Sequence, residues 1–403
     1  MPATTVRPLT ILCLASYEKG AEFMRECKRH GCRVLLVTVK ALEHAPWPRD
    51  VIDDIFFMID MYRRDDVIAG ISYLARTEQI DRIVALDDYD VEFAALLREH
   101  LRVAGMGDTT ARYFRDKLAM RSKAQSGGIL VPHFVPAINN TALAEFMQRV
   151  SPPWVLKPRS EASSVGIQKI NGANELWPAL DRLGDRRSFY LLEKYVAGSV
   201  YHVDSIISET EIVFSAVHQY GKPPMDVAHG GGVFTTRTLE RDSPDLPALL
   251  SLNTALINTM GCVRGVTHTE FIKGTADGKF YFLETASRVG GANIVEMVEA
   301  ATGLNLWREW AKIEIGGEDA AYTLPARRED YAGILISLAR QEWPDTSAYT
   351  DAEIVWRLSK QYHVGLIVAS PDHSRVSELL AKYMARITTD FSTSMPSPEK
   401  PTS

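Results

Sequence analysis

Residues 282–293 read FLETASRVGGAN. An apolar run ends in Glu284, Arg288 follows four residues later, and Gly290 and Gly291 come next. A carboxylate at the end of a buried strand is costly unless a cation sits on it. The surrounding segment, THTEFIKGTADGKFYFLET (267–285), reads as two strands around Ala276–Asp277–Gly278. A three-residue loop with Gly278 in the left-handed position is a common hairpin form, and it sets Glu270 opposite Glu284. Directly opposed side chains lie about 4.5–5.5 Å apart at Cβ, and like charges there are destabilising. Such a pair needs a proton or a divalent cation between its members. Mg²⁺, a hard ion that takes one or two carboxylates and fills its shell with phosphate and water, fits. Two solvated glutamates on an open sheet face, or a loop of another length, are the competing readings. His268 shares this face by the two-residue strand period and reads as pocket wall rather than ligand.

Working outward, 403 residues exceed one compact core, so two or three domains are expected. A composition of 46% hydrophobic and 24% charged residues is that of an ordinary soluble protein. The net charge of -6 argues against a nucleic-acid partner, which calls for a basic surface. No apolar run approaches the roughly 18 residues of a membrane span. MPATTVRPLT lacks the charged-then-apolar pattern of a signal peptide. Cys13, Cys27, Cys32 and Cys262 have no CxxC or zinc spacing, so reduced, buried thiols in a cytoplasmic protein are expected.

TILCLAS (10–16), CRVLLVTV (32–39) and DRIVALDD (81–88) read as strands alternating with helices at 18–31 and after Asp90. That pattern means an α/β layer with a parallel sheet. The first strand-to-helix turn, SYEKGAEF, carries only Gly20, so the dinucleotide fingerprint is missing. Residues 1–112 therefore read as a Rossmann-like layer without a nicotinamide site. Beyond it come a helix at 114–128, strand–loop–strand at 151–170, strand–hinge–strand around Gly198 at 188–208, and a helix at 251–261 before the hairpin. A last layer spans 330–390 with YAGILISLA, HVGLIVAS and the helix SRVSELLAKYMARI, and the Pro/Ser-rich tail, 391–403, is expected to be disordered. No fixed-period repeat is present, which excludes solenoids.

WVLKP ends an apolar strand with Lys157, and RSEASSVG, small and hydroxylic, follows it to Gly166. A loop of this kind can donate backbone N–H groups to phosphates. It is not a Walker A sequence, and the look-alike GTADGK is the hairpin turn. Taken alone, Lys157 reads as a surface lysine, which is what a Lys before Pro at a strand end usually is.

Together these elements resemble the ATP-grasp superfamily of carboxylate–amine ligases, in the family's order: DKLAMRSKAQSGGILVP with Lys117, WVLKPRSEASSVGI with Lys157, LLEKYVAG with the hinge Glu193–Val196, HTEF with Glu270, and FLETASRVGG with Glu284 and Arg288. The nearest flavour is that of the L-amino-acid ligases, with biotin carboxylase more distant. The resemblance covers roughly 113–320 and implies an α/β and α+β chain. Its parts are a Rossmann-like layer (1–112), an ATP-grasp domain of two subdomains (113–320) and a small C-terminal α/β layer (330–390).

Residue by residue, the resemblance implies that Lys117 and Lys157 hold the ATP phosphates, and that a loop with Ser163, Ser164 and Gly166 closes over them. Glu193, Lys194, Tyr195 and Val196 would meet the adenine, and Glu270 and Glu284 would bind Mg²⁺ or Mn²⁺. Arg288 would be catalytic, meeting the acyl-phosphate or substrate carboxylate beside His268, Gly290 and Gly291. HGGGVFTT (229–236) would form a second mobile loop. Small-molecule substrates and a homodimer are the partners implied. Two positions depart from the family's pattern. Ala286 stands where many relatives have Asn, which puts a second metal in doubt. Val200 stands where many have an acid on the ribose, with His202 or Asp204 as candidate compensation. The alternatives are a biotin-carboxylase-like enzyme activating bicarbonate and a non-catalytic ATP sensor.

Overall fold

The computed structural model describes residues 7–162, 165–318 and 321–393. Ser163 and Ser164 of the candidate phosphate loop lie outside them, as does most of the tail. The first four strands are β1 (Thr10–Ala15), β2 (Arg33–Val39), β3 (Asp54–Met58) and β4 (Arg82–Ala85). They form a parallel sheet in the order β3-β2-β1-β4. All six β1 residues are buried, as a parallel sheet covered on both faces demands. The sequence reading passed over β3 and the helix Arg64–Leu74. One is a half-buried strand, and the other buries only Val67 and Ile71, so neither gives a strong period.

A second, antiparallel sheet runs β5-β8-β6-β7, from β5 (Phe134–Pro136), β6 (Trp154–Pro158), β7 (Gln168–Ile170) and β8 (Tyr190–Lys194). Its core includes Phe146, Trp154, Leu176 and Leu192. A third sheet has eight strands. These are β9 (Gly198–Ser208), β10 (Glu211–Tyr220), β11 (Phe234–Thr238), β12 (Gly265–Gly274), β13 (Phe280–Ala286), β14 (Tyr331–Leu338), β15 (Ile354–Arg357) and β16 (His363–Ser370). Their order is β13-β12-β9-β10-β11-β14-β16-β15. The C-terminal segment is thus hydrogen-bonded into the large sheet, with Thr236 beside Ile334. The helix His373–Asp390 buries Leu379, Tyr383 and Ile387 against it.

The hairpin sets Glu270 opposite Glu284, as the sequence reading expected, but by a different route. Toward the turn the register shifts by one, with Phe271 facing Phe282 and Lys273 facing Phe280. Gly278 N–H bonds Gly274 O, and Gly278 is left-handed at φ 67°. The loop is one residue longer than the three expected, and a β-bulge at Leu283 absorbs the difference. HGGGVFTT also contains less loop than expected. A helix spans Pro224–Gly230 and β11 begins at Phe234, which leaves a short link at 231–233. The side chains of 228–230 lie outside the described residues.

All four cysteines are free and buried. No helix among the described residues is long and apolar enough to cross a membrane.

Candidate active site

The small and large sheets face each other across an open cleft of about 930 Å³. Lys117, Lys157, Glu193, Val196, Glu270 and Glu284 all line it, together with the apolar Ile167, Val200, Met225 and Ile272. Lys117 opens the helix Lys117–Ser126. Asp116 caps that helix, its side chain accepting from Leu118 and Ala119 N–H. Arg159 grips Asp116 in a two-nitrogen fork, and Lys117 N–H donates to Arg159 O at 2.8 Å. The helix start is therefore bolted to the end of β6, where Lys157 stands.

Lys157 is only 5% exposed and ion-paired with Glu193. Burial, with Arg121 nearby, lowers its ammonium to about 8 in spite of that pair. Burial alone would raise the Glu193 carboxyl, but Arg121 and Lys157 outweigh it and hold it below its ordinary value. Arg121 is wholly buried, bonds Glu193 at 3.1 Å, and donates to Leu283 O, the carbonyl at the bulge. The sequence reading missed Arg121. Its place four residues after Lys117, on the same helix face, was the available signal.

Lys117 Nζ lies 3.0 Å from Glu284 and donates to Glu161 O at 2.6 Å. Burial works to raise the Glu284 carboxyl, and the charges of Lys117 and Lys157 overcome it and hold it well down. Glu270 accepts from Tyr220 OH at 2.8 Å. Two opposed carboxylates beside two lysines form a donor set that suits Mg²⁺ with a polyphosphate. Glu270 and Glu284 would hold the ion.

At the hinge, the N–H groups of Lys194 and Tyr195 already donate to His133 O and Pro153 O. Among the described residues Val196 N–H has no such partner. The Glu193 side chain is engaged with Lys157 and Arg121.

His268 is 9% exposed and bonds Asp204 at 2.8 Å through Nδ1. His202 bonds the other Asp204 oxygen at 2.7 Å and Thr236 at 2.8 Å. Both His202 and Asp204 are fully buried and neither lines the cleft, so neither replaces the ribose acid missing at Val200, which does line it. Gly290 packs on this network, since a Cβ there would stand 2.9 Å from His268 Nδ1 and 3.0 Å from Asp204 Oδ1. Gly291 faces open space. Arg288 does not line the nucleotide cleft. It donates to Val289 O at 2.7 Å, and its Nε lies 3.7 Å from Asp88 Oδ1. Both of those atoms are buried without a hydrogen bond. Asp88 comes from the loop after β4, so Arg288 sits where the N-terminal layer meets the clamp.

No family model matches the chain. Among curated proteins it is similar to the L-arginine-specific L-amino acid ligase of Bacillus subtilis, at 21% identity over 357 residues, 83% of this chain and 84% of that one. Among solved structures it superposes on an L-amino acid ligase from Bacillus licheniformis with a TM-score of 0.77 and 17% identity, covering 94% of this chain and 98% of that one. It also superposes on the biotin carboxylase domain of Hydrogenobacter thermophilus 2-oxoglutarate carboxylase, crystallised with MgADP and bicarbonate. There the TM-score is 0.70 at 14% identity, covering 95% of this chain and 90% of that one.

Proposed function

We propose that this chain, which carries the ATP-grasp fold, is an ADP-forming ligase that joins a carboxylate to an amine, with an amino acid among its substrates. The observation that carries this reading is the meeting of Lys117, Lys157, Glu270 and Glu284 in one cleft between two sheets. The relatives named as L-amino acid ligases point the same way.

A carboxylate is a poor acyl donor because its oxygen is a poor leaving group. In the first step a substrate carboxylate oxygen attacks the γ-phosphorus, the bond to the β–γ bridging oxygen breaks, and ADP leaves. In the second, an amine nitrogen attacks the acyl carbon, the carbon–oxygen bond to phosphate breaks, inorganic phosphate leaves, and the nitrogen loses its proton. Phosphoryl transfer asks for positioning and charge neutralisation more than covalent help. Lys117 and Lys157 supply positive charge at the phosphates. Glu270, held by Tyr220, and Glu284, held by Lys117, orient the divalent site. Mg²⁺, when bound, neutralises phosphate oxygens. Arg288, beside the cleft where the N-terminal layer meets the clamp, is assigned with Gly290 and Gly291 to the acid's carboxylate, and Gly166 with Ser163 and Ser164 to the cover over the triphosphate.

The same proposal includes Mn²⁺ as a working substitute for Mg²⁺, a homodimer and a cytoplasmic location. It also takes 1–112 and 113–320 as the chain's divisions, with 330–390 completing the large sheet of the second. The dimer is supported by the biotin carboxylase relative, described as a domain dimer, and sedimentation tests it. Chromatography of spent nucleotide tests the central claim. ADP and phosphate should appear only when an acid and an amine are both present, and AMP as the main product would overturn it.

A further inference from the structure

Behind the nucleotide cleft, the middle of the large sheet buries an unusual set of side chains on one face. His202 and Asp204 stand two residues apart on β9 and so point the same way. His218 on β10 lies directly opposite His202, and His268 on β12 directly opposite Asp204. His202, Asp204 and His218 are sealed from solvent, and none of them lines the cleft. Buried imidazoles and carboxylates are retained only where something satisfies each of them.

Asp204 uses its two oxygens differently. Oδ1 meets His268 Nδ1 at 2.8 Å. Oδ2 faces two rings at once, with His202 Nδ1 at 2.7 Å and His218 Nδ1 at 3.2 Å. Those rings are stacked, 4.6 Å between centroids. His218 Nδ1 is near the oxygen without bonding it, and among the described residues it has no hydrogen-bond partner. His202 has the opposite difficulty. Burial pushes its imidazole down to about 3 in spite of Asp204, so the ring is neutral and carries one N–H. The Thr236 hydroxyl donates to Gln219 O at 3.2 Å, which leaves its oxygen to accept that N–H from His202 Nε2 at 2.8 Å. His202 Nδ1 is then a bare lone pair against a carboxylate oxygen, an arrangement that calls for a cation.

We infer that His202 Nδ1, His218 Nδ1 and Asp204 Oδ2 are the ligands of a buried site for one late first-row divalent ion, with Zn²⁺ the fitting member, separate from the glutamate pair in the cleft. Two imidazoles and one carboxylate suit zinc, whereas Mg²⁺ is served by oxygen ligands alone. The three ligand atoms lie within 4.8 Å of one another. Bonds of about 2.0–2.2 Å to a tetrahedral ion set ligand atoms about 3.4 Å apart, so small ring rotations close the site. Three protein ligands and one water complete the four-coordinate shell. The ion gives His202 and His218 the partner that each lacks, and His268 on the other Asp204 oxygen fixes the carboxylate from outside. It fastens β9 to β10 in the middle of the sheet, which is a structural place. The inference does not depend on the ligase reading, because none of its readouts is turnover.

The test is made on the full chain, produced without a histidine tag in medium supplemented with Zn²⁺ and passed through gel filtration in EDTA before elemental analysis. A sealed site should keep its ion through that step, and an ion on the open glutamates should not. Wild type and Glu284→Gln should each carry about one zinc per chain. His218→Phe keeps a flat ring in the stack and removes one ligand, so its zinc should fall about tenfold or more. Zinc-grown wild type should also melt at a higher temperature than wild type grown without zinc, and His218→Phe should show no such difference. Co²⁺ in place of Zn²⁺ gives a reading on wild type alone, which stands even where a variant fails to fold. Intense visible bands of a four-coordinate ion are expected. The weak bands of a six-coordinate, all-oxygen ion would put it on the glutamates and overturn the inference. Zinc-free wild type, equal zinc in His218→Phe, or zinc lost from Glu284→Gln would overturn it as well.

Discussion

Lys157 was read from sequence as a lysine at an open strand end, and the structure buries it on Glu193. That changes what its loss should do. Lys157→Ala still removes a phosphate contact, but it also leaves Glu193 with Arg121 as its remaining cationic partner, at a cost of about 1.5–3 kcal/mol. A lowered melting temperature together with weaker ATP binding is expected, from calorimetry and thermal denaturation. The lysine's position near 8 adds a pH signature. Between about pH 8 and the free-lysine value the unfolded chain holds a proton that the folded one has shed, so this group favours folding more as pH rises there. ATP binding runs the other way, because it needs the ammonium. From pH 7.5 to 9.5 affinity should fall roughly ten- to thirtyfold in wild type and hold in Lys157→Arg, whose guanidinium does not titrate. Equal pH profiles for the two proteins would contradict this. Arg288→Lys keeps a charge beside Asp88 but loses the planar fork. Turnover should fall roughly a hundred- to a thousandfold with ATP affinity retained. Near-normal turnover would make Arg288 structural. The cleft residues Lys117, Glu270 and Glu284 were legible because Lys117 opens a helix and the two glutamates face each other on a hairpin whose turn the sequence marks. Arg121, Tyr220 and the bond of Asp204 to His268 were not, because a single sequence carries no mark of a buried polar group whose partners lie 72, 50 and 64 positions away.

At the scale of elements, the hairpin shows how a right pairing can come from a wrong loop. Glycine and strand length locate a turn, whereas the bulge at Leu283 goes with a carbonyl that accepts from the distant Arg121 guanidinium. The half-buried β3 and the weakly amphipathic helix Arg64–Leu74 escaped for a related reason, since few of their side chains reach a core. The glycine pair has unequal duties. Gly290→Ala would drive a methyl into the His268–Asp204 bond at a cost of about 1–3 kcal/mol, seen as a melting temperature lowered by several degrees. Gly291→Ala should be close to neutral in the same measurement, because nothing stands within 4 Å of the added carbon.

At the scale of the molecule, the alternation of strands and helices gave away the parallel layer, and the ordered motifs gave away the clamp. What the sequence could not tell was that YAGILISLA would extend the large sheet, because strand pairing across some hundred residues leaves no local trace. The partnership of β11 with β14 predicts that a chain ending at Pro325 will not fold. It would leave β11 as a bare edge and strip Ile334 and Ile367 from the core. Insoluble expression of that fragment is the expected result, and a monomeric, ATP-binding fragment would speak against it. For the full chain, ADP with Mg²⁺ at about a hundred times its Kd should stabilise by about 2.7 kcal/mol, read as a melting temperature raised by several degrees.

Arg121 touches both halves of the clamp, Glu193 on β8 of the small sheet and Leu283 on β13 of the large one. A pin at one place turns the small sheet into a lever. Rotation about it leaves the ion pairs at the pin intact, while displacement grows with distance along the arm. Ile167 and Met225 line the cleft away from this pin. A rotation of the small sheet about the guanidinium would widen the cleft while keeping the two contacts that Arg121 itself makes. The fulcrum would then be a wholly buried arginine, and the swing would be set by how far each residue of the small sheet stands from it.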